Sequence, residues 1–367
     1  MSRFRLPFRY LKPVFCSGLF DDPLLYVKIR PSGRALLFDA GKMQHLAKRI
    51  LKSLDAVFVS HAHMDHFMGV AALTRSMHVA SRRVDLYGPA GIIERMHHLL
   101  RAFDWNLAEP WWGSWQVHEV KDARMRRCLF AGPKSFEPER EVSEIPCGEA
   151  VYANGYLRVQ AVTLDHKIPV LGFWLRERAG FGLNERALAD LGLAPGPWIE
   201  AMRLALRDGR PREEIVLPRP VPGLGSRPQA GELYRRIGAP QRPATLVYLT
   251  DFGATEENWR VLERLPRRPT LLVCECAFLR EERDQARRSM HLCTEDFNRL
   301  LDVVRPQYAL PMHLSKAFLG RSAELYREIA APAGTRILRL PDYRGARPLL
   351  ADEIAWQPDG GEDGTFD

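Results

Sequence analysis

Short apolar runs, each three to five residues long and each followed by a turn or a polar residue, recur along the chain and set its plan. Residues 35–38 lead into Asp39, residues 56–59 into Ser60 and His61, and residues 84–87 into Gly88 and Pro89. Further on, residues 246–249 precede Thr250 and Asp251, residues 271–274 precede Glu275, and residues 308–310 lead towards His313. Several runs are dominated by β-branched and aromatic residues, which predicts strands. Stretches of helical period, residues 43–53 and 294–304, fall between them. Such alternation predicts an α/β fold in which sheets are covered by helices. The polar residues follow the strands, so they are expected to gather along one sheet edge, where α/β folds place their sites.

One stretch breaks the pattern. Residues 179–241 are rich in Pro, Gly and Arg around a single helical segment at 196–208, and read as an insertion projecting from the main body. The expected organisation is therefore a first half-domain at 1–178, an arm-like insertion at 179–241, a second half at 242–350, and a tail at 351–367. Within the tail, residues 360–364 are polar and glycine-rich and are expected to fray.

Composition narrows the class. With 46% hydrophobic and 27% charged residues over 367 positions, the chain has the make-up of an ordinary globular protein. No apolar run approaches the roughly 20 residues of a membrane helix, and no membrane partner is expected. The first nine residues are basic and aromatic and lack the apolar core of a secretory signal. Six cysteines are scattered without framework spacing, which suits a reducing compartment and makes the cytoplasm the expected location. A net charge of +8 and a pI of 9.3 favour polyanionic partners, although many basic proteins bind no nucleic acid.

The chemistry begins at Ser60-His61-Ala62-His63-Met64-Asp65-His66. Four candidate ligands within six residues, directly after a strand, can aim His61 and His63 at one metal and Asp65 and His66 at a second. Imidazole and carboxylate suit zinc and neighbouring divalent ions, Mn2+ and Fe2+ included. One such cluster cannot fill two coordination spheres, so His166, Asp251 and His313, each at a strand end, are the further candidates. His45, His78, His97, His98 and His118 lack that placement and are read as structural. Two close cations lower the pKa of a bridging water and stabilise charge on a phosphoryl group. Protonation of the leaving oxygen then falls to Glu275 and His291, with Glu275 orienting His291 as donor. Cys274 and Cys276 flank Glu275 on a strand and point to the opposite face, as packed thiols.

At this point a family resemblance is plain. His61-x-His63-x-Asp65-His66 is similar to the hallmark of the metallo-β-lactamase superfamily, which implies an αββα sandwich. Asp39, in Phe38-Asp39-Ala40-Gly41, resembles that family's acidic residue behind the metals. Further matches resemble ribonuclease Z, the endonuclease that removes 3′ trailers from precursor tRNA: His166-Lys167-Ile168-Pro169, Leu249-Thr250-Asp251, Glu275-Cys276-Ala277-Phe278 with His291, and His313-Leu314-Ser315. The resemblance implies one metal on His61, His63 and His166, the other on Asp65, His66 and His313, and Asp251 bridging them. It implies attack by metal-bound hydroxide, a catalytic trio of Asp65, Glu275 and His291, RNA as partner, and a homodimer. Leu191-Gly192-Leu193-Ala194-Pro195-Gly196-Pro197 resembles the base of the arm that grips the tRNA elbow, with Arg203, Arg207, Arg210 and Arg212 available for phosphates.

The departures are local. Phe15-Cys16-Ser17-Gly18 stands where the family has a glycine-rich loop, Phe252 follows Asp251 where threonine is common, Trp174 replaces an arginine, and Leu292-Cys293 follow His291. Two other functions compete: a small-molecule phosphodiester or other ester hydrolase on the same scaffold, and a non-catalytic RNA-binding relative. Trp111-Trp112-Gly113-Ser114-Trp115 weakly favours the first if it lines a pocket, but is read chiefly as core or interface.

Overall fold

Unbroken apolar runs build buried strands and alternating ones build half-covered strands, and the chain uses both. The computed structural model describes residues 5–122, 124–140, 144–240 and 242–345. In chain order the first strands are β1 (Leu11–Phe15), β2 (Leu25–Ile29), β3 (Ala35–Phe38), β4 (Leu54–Phe58), β5 (Arg83–Pro89), β6 (Ser114–Lys121), β7 (Arg124–Phe130), β8 (Pro138–Arg140) and β9 (Ile145–Pro146). Among the described residues they form one sheet in the order β1 to β8, with β9 also paired to β7. Its centre, β3 to β6, is parallel.

The second half supplies β10 (Tyr152–Ala153), β11 (Leu157–Asp165), β12 (Pro169–Glu177), β13 (Phe181–Leu183), β14 (Gly238–Pro240), β15 (Thr245–Leu249), β16 (Leu271–Glu275), β17 (Tyr308–Met312) and β18 (Arg336–Ile337). All but β13 and β14 join a second sheet, ordered β10-β11-β12-β15-β16-β17-β18 and parallel from β15 onward. The helices are α1 (Lys48–Leu51), α2 (Met64–Phe67), α3 (Gly69–Met77), α4 (Ile92–Arg101), α5 (Glu185–Asp190), α6 (Pro197–Arg207), α7 (Ala230–Ile237), α8 (Glu256–Leu262), α9 (Arg283–Ser289), α10 (Thr294–Val304) and α11 (Ser322–Glu328).

The two sheets face each other across a core in which Phe38 stacks on Phe58 at 4.8 Å between centroids and meets Phe173 of the other sheet edge-on at 5.7 Å. Val70 and Leu73 of α3 and Met96 of α4 cover the outer face of the first sheet. Trp259 of α8, with Phe297 and Leu300 of α10, covers the second. This is the expected αββα sandwich. Trp115 is buried, its Nε1 donating to Thr74 Oγ1 at 3.0 Å. Trp112 instead lines an open cavity where α3 and α4 end, and Trp111 is 55% exposed.

Residues 43–53 form less helix than their period predicts, only Lys48–Leu51. Met43 is buried, the His45 ring bonds to the Cys16 carbonyl at 2.8 Å, and Ala47 is extended, so the preceding residues are held as loop. The paired β13 and β14 connect the sandwich to α5, α6 and α7, which bury Leu188, Trp198, Met202, Leu233 and Ile237 against one another. Asn184 caps α5 by accepting from the backbone of Arg186 and Ala187. Residues 351–367, the predicted tail, lie outside the described residues, as does the glycine-rich stretch at 360–364. Among the described residues no helix is long and apolar enough to cross a membrane.

Candidate metal centre

Parallel strands end on a common rim, and the backbone there turns sharply. Asp39 after β3, Asp251 after β15 and His313 after β17 all take left-handed φ values, 55°, 46° and 61°. For residues other than glycine this costs of order 1–3 kcal/mol each, less for aspartate, and it persists only where surrounding structure over-determines it. The turns swing all three side chains back over the rim. After β4 the loop presents His61 and His63, and the single turn of α2 presents Asp65 and His66. Gly41 and Gly69 let this loop seat closely. A Cβ on Gly41 would lie 2.6 Å from the Asp65 carbonyl oxygen, and one on Gly69 2.3 Å from that of Gly41.

The structure brings all seven predicted ligands together. His61, His63, His166 and Asp251 each place one ligand atom within 4.8 Å of the others, and so do Asp65, His66, Asp251 and His313. Asp251 belongs to both sets. Beside them, Glu275 and His291 form a third group with Asp251 and His313. Glu275 Oε2 meets His291 Nδ1 at 2.9 Å, while its Oε1 accepts the Phe252 backbone N–H at 2.8 Å.

Hydrogen bonds behind the ligands select which ring nitrogen is free. Asp39 Oδ2 holds His66 Nδ1 at 2.9 Å, and the Met290 carbonyl accepts from His166 Nδ1 at 2.7 Å. Ser60 Oγ lies 3.0 Å from His61 Nδ1. The remaining buried nitrogens, Nε2 of His61 and of His66 and Nδ1 of His313, all face the Asp251 carboxylate, at 3.7, 3.2 and 2.9 Å, without an aligned hydrogen bond. Three of them converging with two carboxylates is a donor set that fits divalent cations.

Electrostatics agree with that fit. Burial pushes His61 down to about 2, with the His66 charge acting in the same direction, so it is a neutral donor. Burial also lowers His63, helped by His166. For Asp65, burial opposes ionisation, but His313 and His66 outweigh it and hold the carboxyl below its usual range. The same balance, led by His313 after burial, keeps Asp251 well below. In turn Asp251 and Asp39 overcome burial to raise His66, and Asp251 and Asp65 raise His313 to about 10. The carboxylates draw positive charge onto this rim, a demand that divalent cations also meet.

A cavity of about 410 Å³ opens over Asp65, His291 and His313, walled by Phe20, Phe278 and Lys316. The larger cavity lined by Trp105 and Trp112 lies at the far ends of α3 and α4 and shares no lining residue with this one.

Comparison with known proteins adds a family to this geometry. Residues 34–180 match the beta-lactamase superfamily domain. The chain is 30% identical over 286 residues to ribonuclease Z of Deinococcus radiodurans, covering 77% of this chain and 83% of that protein. The chain belongs to the ribonuclease Z family. Ribonuclease Z of Methanosarcina acetivorans is 31% identical over 277 residues, 72% of this chain and 73% of that one. Among solved structures, a long-form RNase Z from yeast superposes with a TM-score of 0.54 at 11% identity, covering 93% of this chain and 42% of that chain. The metallo-beta-lactamase fold protein YhfI from Bacillus subtilis gives 0.50 at 13% identity, over 90% and 96%. Both likenesses concern the fold.

As a ribonuclease Z family member the chain is a metal-dependent hydrolase, and its local departures acquire reasons. Phe252 bonds to Glu275 through its backbone N–H, which leaves its side chain free to join the core. Cys293 is buried and stands at the N-cap of α10, paired with Asp296. Trp174 lies mid-strand on β12 and donates from Nε1 to its cross-strand partner Gln160. Two contributors escaped the sequence reading. The Tyr248 hydroxyl donates to Asp39 Oδ2 at 2.8 Å from inside a strand that reads as plain core. Met290 acts only through its carbonyl, which no side-chain pattern reveals.

Proposed function

We propose that this chain cuts RNA endonucleolytically at the 3′ side of precursor tRNA, using two divalent cations, zinc first among them. The observation that carries the reading is the pair of donor sets sharing Asp251 beside the Glu275–His291 couple. In this reading His61, His63 and His166 hold one cation, Asp65, His66 and His313 the other, and Asp251 both. Bound there, the cations supply an activated water nucleophile and neutralise charge developing on the phosphoryl oxygens. The chain's own residues do the rest. Asp39, Ser60 and the Met290 carbonyl fix the imidazole orientations. Glu275 steers His291, which delivers its proton to the departing ribose oxygen.

The insertion at 179–241 is taken as the arm that holds the body of the RNA. It leaves the sandwich after Glu177 and returns before Thr245, at the strand ends opposite the metal rim. That exit supports a homodimer in which the arm of one subunit serves the site of the other. Six free cysteines support a cytoplasmic setting. The deciding experiment is incubation with a precursor tRNA carrying a 3′ trailer, mapping the cut with and without chelator. A single cut at the trailer junction that chelator abolishes is expected. Turnover of bis(p-nitrophenyl) phosphate with no RNA cleavage transfers the chain to the small-phosphodiester reading.

A further inference from the structure

A second polar cavity, of about 370 Å³, lies at the base of the insertion and is lined by Tyr10, Arg158, Arg176, Glu177, Arg178 and Arg207, among others. Its arginines are placed against the grain of the sheet. Arg158 of β11 and Arg176 of β12 are direct cross-strand partners, and like charges in that position destabilise a sheet. Local carboxylates do little to relieve this. Glu177 is buried, and its two oxygens already accept the backbone N–H groups of Tyr10 and Leu11, at 2.7 and 2.8 Å, and of Arg9, at 3.1 Å. Among the described residues Arg158 pairs with Glu149 alone, whose side chain is 85% exposed. Arg178 uses Nε on the Asn154 carbonyl and keeps its terminal nitrogens, while Arg207 lies 3.6 Å from Asp208 at the surface. Arg176 has no hydrogen bond or ion pair among the described residues. Among the described residues, four arginines therefore line this cavity, and the one carboxylate in its lining, Glu177, is already engaged. Tyr10, its ring 5.6 Å from that of Tyr156, adds a flat wall.

We propose that this cavity binds phosphate groups, which guanidinium forks match bidentately. The source is either the backbone of a long RNA or a free polyphosphate, as on a nucleotide. Arg176 lies seven residues along β12 from Pro169, at the end remote from the metals, about 23 Å away at ~3.3 Å per residue. A phosphate held here is thus distant from the one being cut. The RNA version rests on the reading of this chain as a ribonuclease; the anion site itself does not.

The test compares the metal-loaded full chain with the Arg158→Gln/Arg176→Gln double variant. Three readouts separate the cases: KM for precursor tRNA, turnover of bis(p-nitrophenyl) phosphate, and the melting midpoint with and without tripolyphosphate. For an RNA-backbone site, KM for precursor tRNA rises about tenfold and the dependence of log affinity on log salt becomes shallower by about 1.5. Turnover of the small diester is unchanged. For a free-polyphosphate site, tripolyphosphate raises the midpoint of the parent protein and not of the variant, while RNA parameters stay level. Either result supports the site, and identical behaviour of the two proteins in all three assays overturns it. Should the parent fail to cut RNA yet differ from the variant with tripolyphosphate, the ribonuclease reading falls and the anion site stands. If the double variant does not fold, Arg178→Gln, an exposed cavity residue just past the end of β12, is read by the same criteria.

Discussion

The metal rim and the insertion solve opposite problems. At the rim, residues far apart in sequence meet in a largely buried cluster, and three imidazoles are fixed by a neighbour: Asp39 holds His66, Met290 holds His166, and Glu275 holds His291. The insertion has its own small core and carries its charged residues outward. There Arg203 bonds to the Phe181 carbonyl, and Arg210 pairs with Asp208 and Glu213. Of the four arginines expected to meet phosphates, these two are engaged within the chain, Arg207 borders the basal cavity beside Asp208, and Arg212 is exposed. Chemistry is placed where the fold is most determined. In the proposed function, recognition falls to the insertion, whose charged residues lie at its surface.

That contrast can be broken at its strongest point first. Replacing Asp251 by Asn removes the carboxylate common to both donor sets, and both metal content, read by elemental analysis, and turnover should fall to background. Retention of two metals per chain would refute the shared role. His291→Ala should leave metal content intact while turnover drops roughly 10²–10⁴-fold. Asp39→Asn should weaken metal affinity about 10–100-fold by releasing His66, measured by competition with a chromogenic chelator.

Within the insertion, Trp198→Ala should loosen the small core by roughly 3–5 kcal/mol. Limited proteolysis would then cut residues 184–237 faster, with diester turnover unchanged. The finest probe is pH. Burial depresses the His291 pKa, but Glu275 more than compensates and the net shift is upward. His291 thus stays protonated to higher pH than an ordinary imidazole, as the proposed donor requires. Glu275→Gln removes that support, so the alkaline limb of kcat/KM should move to lower pH.

Much of the rim was legible in the sequence because its proposed ligands follow strands. Asp39, Asp251 and His313 stand out as polar residues closing apolar runs, and His61 to His66 cluster too densely for a solvated turn. Tyr248 was not legible, since an aromatic inside a buried run signals packing and its hydroxyl partner lies across the sandwich. Gly41 and Gly69 matter through closeness of backbone, which spacing does not encode. The shortening of the helix expected at 43–53 followed from the burial of Met43 and the bond from His45, both tertiary effects that override periodicity. The Arg158–Arg176 opposition depends on hairpin register, which only the folded sheet specifies.

The bond from Tyr248 to Asp39 has a practical corollary. It fastens a strand encoded before the insertion to one encoded after it, and the ligands are divided in the same way: residues 61–66 and 166 on one side, 251 and 313 on the other. A chain nicked between α6 and α7 would yield two fragments, neither owning a complete ligand set. Hydrolysis recovered on mixing them would report reassembly of the sandwich directly, making this molecule a natural split reporter.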